Sequence, residues 1–474
     1  MNNPIKFGTD GWRAVIAGDF TFDNVRLCTQ GVADYLKSAR LANQGVVIGY
    51  DHRFASEDFA AAAAEVLAGN DIHVYLSSKA TPTPMTCFGV LLKKAGGGVI
   101  ITASHNPAKW NGFKFREHNG ASVSTETSIE LEKHIGKAAV TGKIKQLTLP
   151  HAINQNIVEY IDLMPEYVKR INQLVDVPAL NTAGLKIIVD SMYGVGAGYF
   201  KNLLSTGNNK ITEINQERNP AFPGINPEPI AVNLKKLTAL VKEKRADIGL
   251  ATDGDADRIG IIDENGRFLT QLQTFALLAL YLLEVRKERG AIIKTVTATS
   301  MLDRLGEIYN VPVYETQVGF KYVAPILIGK NGLIGGEESG GYGFRGHVPE
   351  RDAIPAGLFF LDFMLKTGKT ASQLLAYLYS KVGEHYYDRT DLKFNADKRN
   401  QIIQRLQNPQ PKDIAGIKVV KTDTVDGFRW LLANNSWLLI RFSGTEPVLR
   451  VYCEAGDMEK VKRILAVGRE LTGV

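Results

Sequence analysis

The sequence predicts an α/β protein: three related mixed-sheet α/β domains and a smaller C-terminal α+β domain. Three observations predict it. A triplet of β-branched strand-like runs recurs three times. Helix-forming segments separate the runs, as in parallel or mixed α/β units. The tail abandons that alternation for closely spaced strands.

The first triplet is VVIGYD (46–51), HVYLSS (73–78) and GVIITASHNP (98–107). The second is KIIVDS (186–191), ITEIN (211–215) and ADIGLATDGDADR (246–258). The third is AIIKTVTAT (291–299), VPVYETQVGFK (311–321) and LIGGEESGG (333–341). Valine, isoleucine and threonine dominate these runs, as half-buried strands require. SEDFAAAAAEVLAGN (56–70) and PIAVNLKKLTALVKEKR (229–245) read as helices, with Ser56 as an N-cap before Glu57 and Asp58. The apolar run FALLALYLL (275–283) is too short for a bilayer and reads as a core helix. In the tail, 391–407 reads as strand and helix, 418–432 and 436–455 as strands, and 458–471 as an amphipathic helix. These patterns give domains at 1–150, 151–265, 266–383 and 384–474, with linkers near 150–160, 262–270 and 380–390.

Bulk composition narrows the function. A net charge of +6 without a basic block gives no nucleic-acid footprint. Cys28, Cys87 and Cys453 lie far apart and form neither a disulfide framework nor a zinc motif. With no signal-peptide core in MNNPIKFGTDGWR, a cytoplasmic protein is expected. No membrane partner is expected.

Every third strand ends in an unusual loop: TASHNP, TDGDADR, GGEESGG. Open α/β sheets place their chemistry at such strand ends, so three equivalent loops can converge on one cleft. Ser104, on the Asn-Pro turn of the first loop, is a nucleophile or a turn-forming hydroxyl. In TDGDADR a curled loop lets Asp253, Asp255 and Asp257 face one point. Three carboxylates suit Mg²⁺ or Ca²⁺, although DG dipeptides also make solvated turns. Arg258 stands where an EF-hand needs glycine, which excludes that motif, and its fork suits a phosphate beside a metal. GGEESGG offers Glu337, Glu338 and Ser339 as acceptors for sugar hydroxyls, or is simply a flexible acidic loop. RFSGTEP (441–447), followed by Arg450, is an anion nest or an ordinary strand exit. FGTDGWR (7–13) carries Arg13, and NGFK (111–114) carries Lys114.

Taken in order, FGTDGWR, TASHNP…NGFK, DGDADR, GEESGG and RFSGTEP resemble the α-D-phosphohexomutase family, of the phosphoglucomutase/phosphomannomutase type. The resemblance covers essentially the whole chain. It implies four domains around a deep central cleft and Ser104 as a phosphorylated serine. Asp253, Asp255 and Asp257 would hold Mg²⁺ together with the serine phosphate. Lys114 matches a proposed general acid/base, and Arg13 and Arg258 match phosphate ligands. Glu337 and Ser339 match sugar-hydroxyl ligands. Gly319, Phe320 and Lys321 match the segment that selects the sugar. Arg441, Ser443, Gly444, Thr445 and Arg450 match the clamp on the non-reacting phosphate.

The implied activity interconverts glucose 1-phosphate and glucose 6-phosphate through glucose 1,6-bisphosphate, in a monomer or dimer. Mannose and glucosamine phosphates are the rival substrates within the family. A metal-dependent phosphatase and a phosphosugar sensor are rivals outside it. Two departures bear on this. Ala256 stands where many members have glycine, and Gly341 where mannose- and glucosamine-handling members often have histidine, which favours glucose. Arg351 and Asp352 fall near a family catalytic-lysine position, and their role stays open.

Overall fold

The computed structural model describes residues 5–8, 10–408, 410–443 and 448–474. The first sheet contains β1 (Trp12–Val15), β2 (Val46–Tyr50), β3 (Val74–Ser77), β4 (Gly97–Ile101), β5 (Trp110–Glu117) and β6 (Val158–Ile161), in spatial order β1-β5-β4-β2-β3-β6. The second contains β7 (Lys186–Asp190), β8 (Lys210–Ile214), β9 (Ile248–Thr252), β10 (Ile259–Ile262) and β11 (Phe268–Leu269), ordered β11-β10-β9-β7-β8. The third contains β12 (Ile292–Thr295), β13 (Val313–Thr316), β14 (Ile334–Gly336) and β15 (Tyr342–Phe344), ordered β13-β12-β14-β15.

The repeat expected from sequence is borne out strand by strand. In each sheet the first strand of the triplet lies between the other two, and all three run parallel. A fourth strand then returns antiparallel beside the third: β5 on β4, β10 on β9, β15 on β14. TASHNP, TDGDADR and GGEESGG therefore leave their sheets at one topological position.

The tail folds as the expected α+β unit. Strands β16 (Tyr386–Lys393), β17 (Asp413–Ile414), β18 (Ile417–Asp423), β19 (Phe428–Leu432), β20 (Trp437–Phe442) and β21 (Val448–Ala455) form an antiparallel sheet ordered β16-β21-β20-β19-β18-β17. Helices Arg399–Gln407 and Met458–Thr472 contribute Ile402, Leu406, Val461, Ile464 and Leu465 to its core. That core is separate. One apolar cluster, by contrast, runs from Val47 and Met85 of the first domain through Leu250 of the second to Leu278 and Phe360 of the third.

Several local expectations are corrected. The segment 150–160 is no linker: it holds helix Leu149–Asn154 and the start of β6, which pairs with β3. Residues 262–270 hold β11, paired to β10. Both segments supply partners to sheet edges whose N–H and C=O groups would otherwise stay open. The sheet of the first domain thus runs to Ile161. Ser56 is not the N-cap; Ala55 holds that place at φ 55°, and the Ser56 hydroxyl donates to Asp51. The helix expected over 229–245 spans only Lys235–Lys244. Ahead of it the chain turns, with Asn233 Nδ2 donating to the Glu228 carbonyl. The 275–283 run is buried as expected, in helix Gln271–Leu280 and the π-turn Tyr281–Val285 that continues it. Among the described residues no helix is long and apolar enough to cross a membrane.

Leu278 is fully buried in the cluster shared by the first three domains. Leu278→Ala is expected to cost about 3 kcal/mol, as buried leucine truncations do. Urea denaturation should show an earlier transition for the main body.

Candidate active site

The site begins with the end of β4. Its first loop residue, Thr102, accepts the Ser104 N–H at Oγ1, 2.8 Å away, and donates the same hydroxyl to Asp51. Ser104 takes φ 53°, a left-handed conformation that costs a non-glycine residue on the order of 1–3 kcal/mol. Arg53 holds it there. This fully buried guanidinium donates to the carbonyls of Ser104, Asn106, Pro107 and Trp110 and pairs with Asp51 at 3.2 Å. The loop is thus fastened through its backbone, and the hydroxyl stays available.

That hydroxyl meets the second domain. Ser104 Oγ donates to Asp253 Oδ2 at 2.9 Å. Asp253, Asp255 and Asp257 bring ligand oxygens within 4.8 Å of one another, all three side chains buried. Asp253 Oδ1 accepts the N–H groups of Asp257 and Arg258, which curls the loop. Gly254 lets the two loops meet: a Cβ there would lie 2.4 Å from the Ser104 carbonyl oxygen. Ala256 sits at φ 57°, a conformation that favours glycine, and its methyl is fully buried.

Three buried carboxylates repel one another, and the surroundings answer with cations. Lys114 Nζ, on β5, lies 2.8 Å from both Asp10 Oδ2 and Asp255 Oδ2 and 3.9 Å from Asp257. Thr83 also donates to Asp255 Oδ2 at 2.6 Å. Burial and the two neighbouring aspartates push Asp253 well above the usual carboxylate range. At Asp255 burial is overridden by the Lys114 ammonium, which holds that carboxyl below it. Burial at Lys114 is in turn overridden by Asp10 and Asp255, so the amine stays charged. Burial, with Arg258 and Arg13 adding to it, depresses the His105 imidazole well below its ordinary value. This neutral ring lies 3.3 Å from Ser104 Oγ.

The donor set fits a hard divalent cation. Asp255 Oδ1 and Asp257 Oδ1 are buried yet accept no hydrogen bond. Such orphaned oxygens are costly unless a cation completes them. All-oxygen ligation is what Mg²⁺ prefers.

The third domain closes the far side. Arg351 is buried and touches carboxylates from three domains: Asp257 at 2.8 Å, Asp10 at 3.3 Å, and Glu337 and Glu350 at 3.1 Å each. Its side chain fills the space beside Gly341, where a Cβ would lie 2.3 Å from Arg351 Cδ. Ser339 Oγ has no hydrogen-bond partner among the described residues. Arg258 pairs with Glu228 at 3.2 Å, and Arg13 grips the serine loop through Asn106 at 2.7 Å.

Other expected residues lie elsewhere. Phe320 is buried in an apolar cluster, its ring centroid 5.6 Å from the Arg351 guanidinium that lies over it. Gly319 starts the helix Phe320–Gly329, and Lys321 lies over the Tyr322 ring. Arg441 and Arg450 pair inside the fourth domain, with Asp426 at 2.8 Å and Asp391 at 3.8 Å. The Ser443 N–H donates to the Val448 carbonyl. Gly444 and Thr445 lie outside the described residues.

Sequence reasoning missed Asp10, Arg53, Thr83 and Glu350. Asp10 lay inside a motif read only for Arg13. Arg53 follows the first strand of the first triplet, a strand end that invited attention and received none. Asp352 caps the helix Ala353–Thr367 and accepts from the Tyr167 hydroxyl at 2.7 Å, a structural post behind Arg351.

Comparison with known proteins agrees with this architecture. Four family profiles match in sequence: phosphoglucomutase/phosphomannomutase alpha/beta/alpha domain I over residues 4–141, domain II over 165–266, domain III over 271–382, and the C-terminal domain over 401–470. A phosphoglucomutase/phosphomannomutase of Thermococcus kodakarensis is 32% identical over 473 residues, covering 98% of each chain. A probable phosphoglucosamine mutase of Methanosphaera stadtmanae is 28% identical, covering 98% of each. A crystal structure from Thermus thermophilus, provisionally named a phosphomannomutase, superposes with TM-score 0.86 at 34% identity over 100% of both chains. With four matching domains in family order around this serine and its aspartates, the chain belongs to the phosphoglucomutase/phosphomannomutase family of α-D-phosphohexomutases.

Proposed function

We propose that this phosphohexomutase interconverts glucose 1-phosphate and glucose 6-phosphate through a phosphoserine at Ser104. One observation carries the reading: the Ser104 hydroxyl, on a strained and stapled loop, lies 2.9 Å from an aspartate of a buried triad. Free serine is a weak nucleophile near neutral pH and would need a base to activate it. A resting phosphoserine avoids that difficulty, because the sugar hydroxyl then attacks phosphorus. The new O–P bond forms as the P–Oγ bond breaks, and glucose 1,6-bisphosphate results.

Transfer of this kind needs positioning and charge neutralisation above all. Mg²⁺ held by Asp253, Asp255, Asp257 and the serine oxygen would neutralise phosphoryl charge. Arg258 and Arg13 flank the serine loop and suit the remaining phosphate oxygens. Lys114, kept as an ammonium by Asp10 and Asp255, lies 2.8 Å from the triad and serves as the proton donor. Glu337 and Ser339 receive the sugar hydroxyls. Arg441, Ser443, Gly444, Thr445 and Arg450 hold the phosphate that is not reacting. The bisphosphate then turns around, so the same clamp serves either end, which requires the fourth domain to move.

Glucosamine phosphate is the second reading, because several full-length relatives are named probable phosphoglucosamine mutases. The glycine at 341 loses force as an argument for glucose, since Arg351 fills the space a side chain there would take.

The test supplies glucose, mannose and glucosamine 1-phosphates separately, with Mg²⁺ and a trace of the matching bisphosphate. Glucose 6-phosphate should form fastest. Faster glucosamine turnover moves the assignment to that sugar, and free phosphate as main product replaces the mutase with a phosphatase.

Ser104→Ala should lower turnover by at least about a thousandfold while the melting curve stays unchanged, as loss of a covalent nucleophile does. Wild-type-like activity refutes the phosphoserine. Chelation with EDTA should abolish turnover, and added Mg²⁺ should restore it, followed by the same coupled assay.

A further inference from the structure

The fourth domain carries the phosphate-clamp arginines but keeps its own core. It meets the third domain through an apolar patch, Trp437, Leu439 and Tyr452 on Val296, and through polar contacts. One of these contacts has an unusual form. Asp426, on the turn between β18 and β19, uses a single oxygen twice. Its Oδ2 accepts Arg441 Nε–H at 2.8 Å and the backbone N–H of Val318 at 2.9 Å. Beside it, Gln317 Nε2 donates to the Val425 carbonyl at 3.0 Å. Val318 immediately precedes Gly319, Phe320 and Lys321. One carboxylate thus ties a clamp arginine to the start of the sugar-selecting segment.

A second route runs in parallel. Arg450 Nε lies 3.8 Å from Asp391, whose other oxygen takes Arg389 Nε at 2.8 Å. Arg389 in turn pairs with Glu338 at 3.2 Å, and Tyr387 donates to the same Glu338 oxygen at 2.9 Å. Glu338 lies between the sugar-hydroxyl candidates Glu337 and Ser339.

We propose that Asp426 is a positioning residue that sets the orientation of Arg441 and fixes the phosphate clamp in register with the 317–321 segment. The proposal rests on the reading of Arg441 and that segment given above. A carboxylate beside a phosphate-binding arginine lowers the positive charge of the site. Affinity for phosphate alone therefore gives no reason for it. Orientation does: a charge-assisted bond to Nε fixes the plane of the guanidinium. The bond to Val318 makes that plane depend on where the third domain stands. The Asp426–Arg441 pair is largely shielded, with side chains 21% and 10% exposed, so solvent screens it less than a surface pair. The Glu338–Arg389–Asp391 route gives the opposite edge of the domain a second tie.

The test uses the Ser104→Ala protein, so that binding of glucose 1-phosphate is read by calorimetry without turnover. Asp426→Ala should weaken binding about tenfold, and should add less than about twofold once Arg441→Ala is present, the coupling of two residues that act as one. Equal weakening with and without Arg441 means that Asp426 only docks the domain, and overturns the proposal. Hydrogen exchange of the 317–321 amides should rise in Asp426→Ala, and unchanged exchange also overturns it. Asp426→Asn keeps an acceptor for Val318 and serves if the alanine variant folds poorly: exchange should stay near wild type while affinity falls. If the Ser104→Ala protein binds none of the three hexose phosphates, the functional reading fails, and the exchange result still decides whether Asp426 joins the domains.

Discussion

Buried negative charge is the constraint on which this molecule is built. Asp253, Asp255 and Asp257 sit within 4.8 Å of one another, out of water. Alone, such a cluster would neutralise itself or unfold its loop. Here Lys114 from the first domain and Arg351 from the third lie against it, while Asp10 and Glu337 pass the charge outward. The three domains are therefore held by electrostatics at their centre as well as by a shared apolar cluster behind it. A charged residue removed from this network leaves an opposite charge buried without a partner, the most destabilising case for ion pairs in protein interiors.

The serine loop answers the same constraint by a different route. Its backbone carbonyls take the Arg53 guanidinium, so the strain at Ser104 is held by a residue with no place in the cleft. Gly254 then allows the aspartate loop to touch the Ser104 carbonyl. Two loops that are remote in sequence become one surface because a side chain is present at position 53 and absent at position 254.

Much of this was legible in the sequence, for a physical reason. Strand triplets carry a local signal, and the third strand of each ends in a loop whose composition departs from ordinary turns. Ser104, Lys114, the aspartate triad and Glu337 all sit at such ends or on the strand that follows. Thr83 and Glu350 left no comparable mark, because their roles exist only once the sheets are packed, whereas Arg53 stood just past a strand end but on the first strand of its triplet. That the Phe320 ring is buried was not legible for the converse reason: a motif position carries no information about which way its side chain faces. Ser56 and the 229–234 turn show local pattern losing to tertiary partners, Asp51 in one case and the Glu228 carbonyl in the other. The clamp loop stays an expectation at Gly444 and Thr445, which fall outside the described residues.

The separateness of the fourth hydrophobic core has an energetic consequence. Swinging that unit outward wets only the few side chains around Trp437, Leu439, Tyr452 and Val296, because Leu438, Ile440, Leu449 and Val451 stay enclosed within it. The hydrophobic penalty scales with the apolar surface newly exposed to water. The apolar part of such an opening therefore costs little, and what resists it is polar: Asp426 on the Val318 N–H, Arg389 on Glu338 and Arg429 on Glu315.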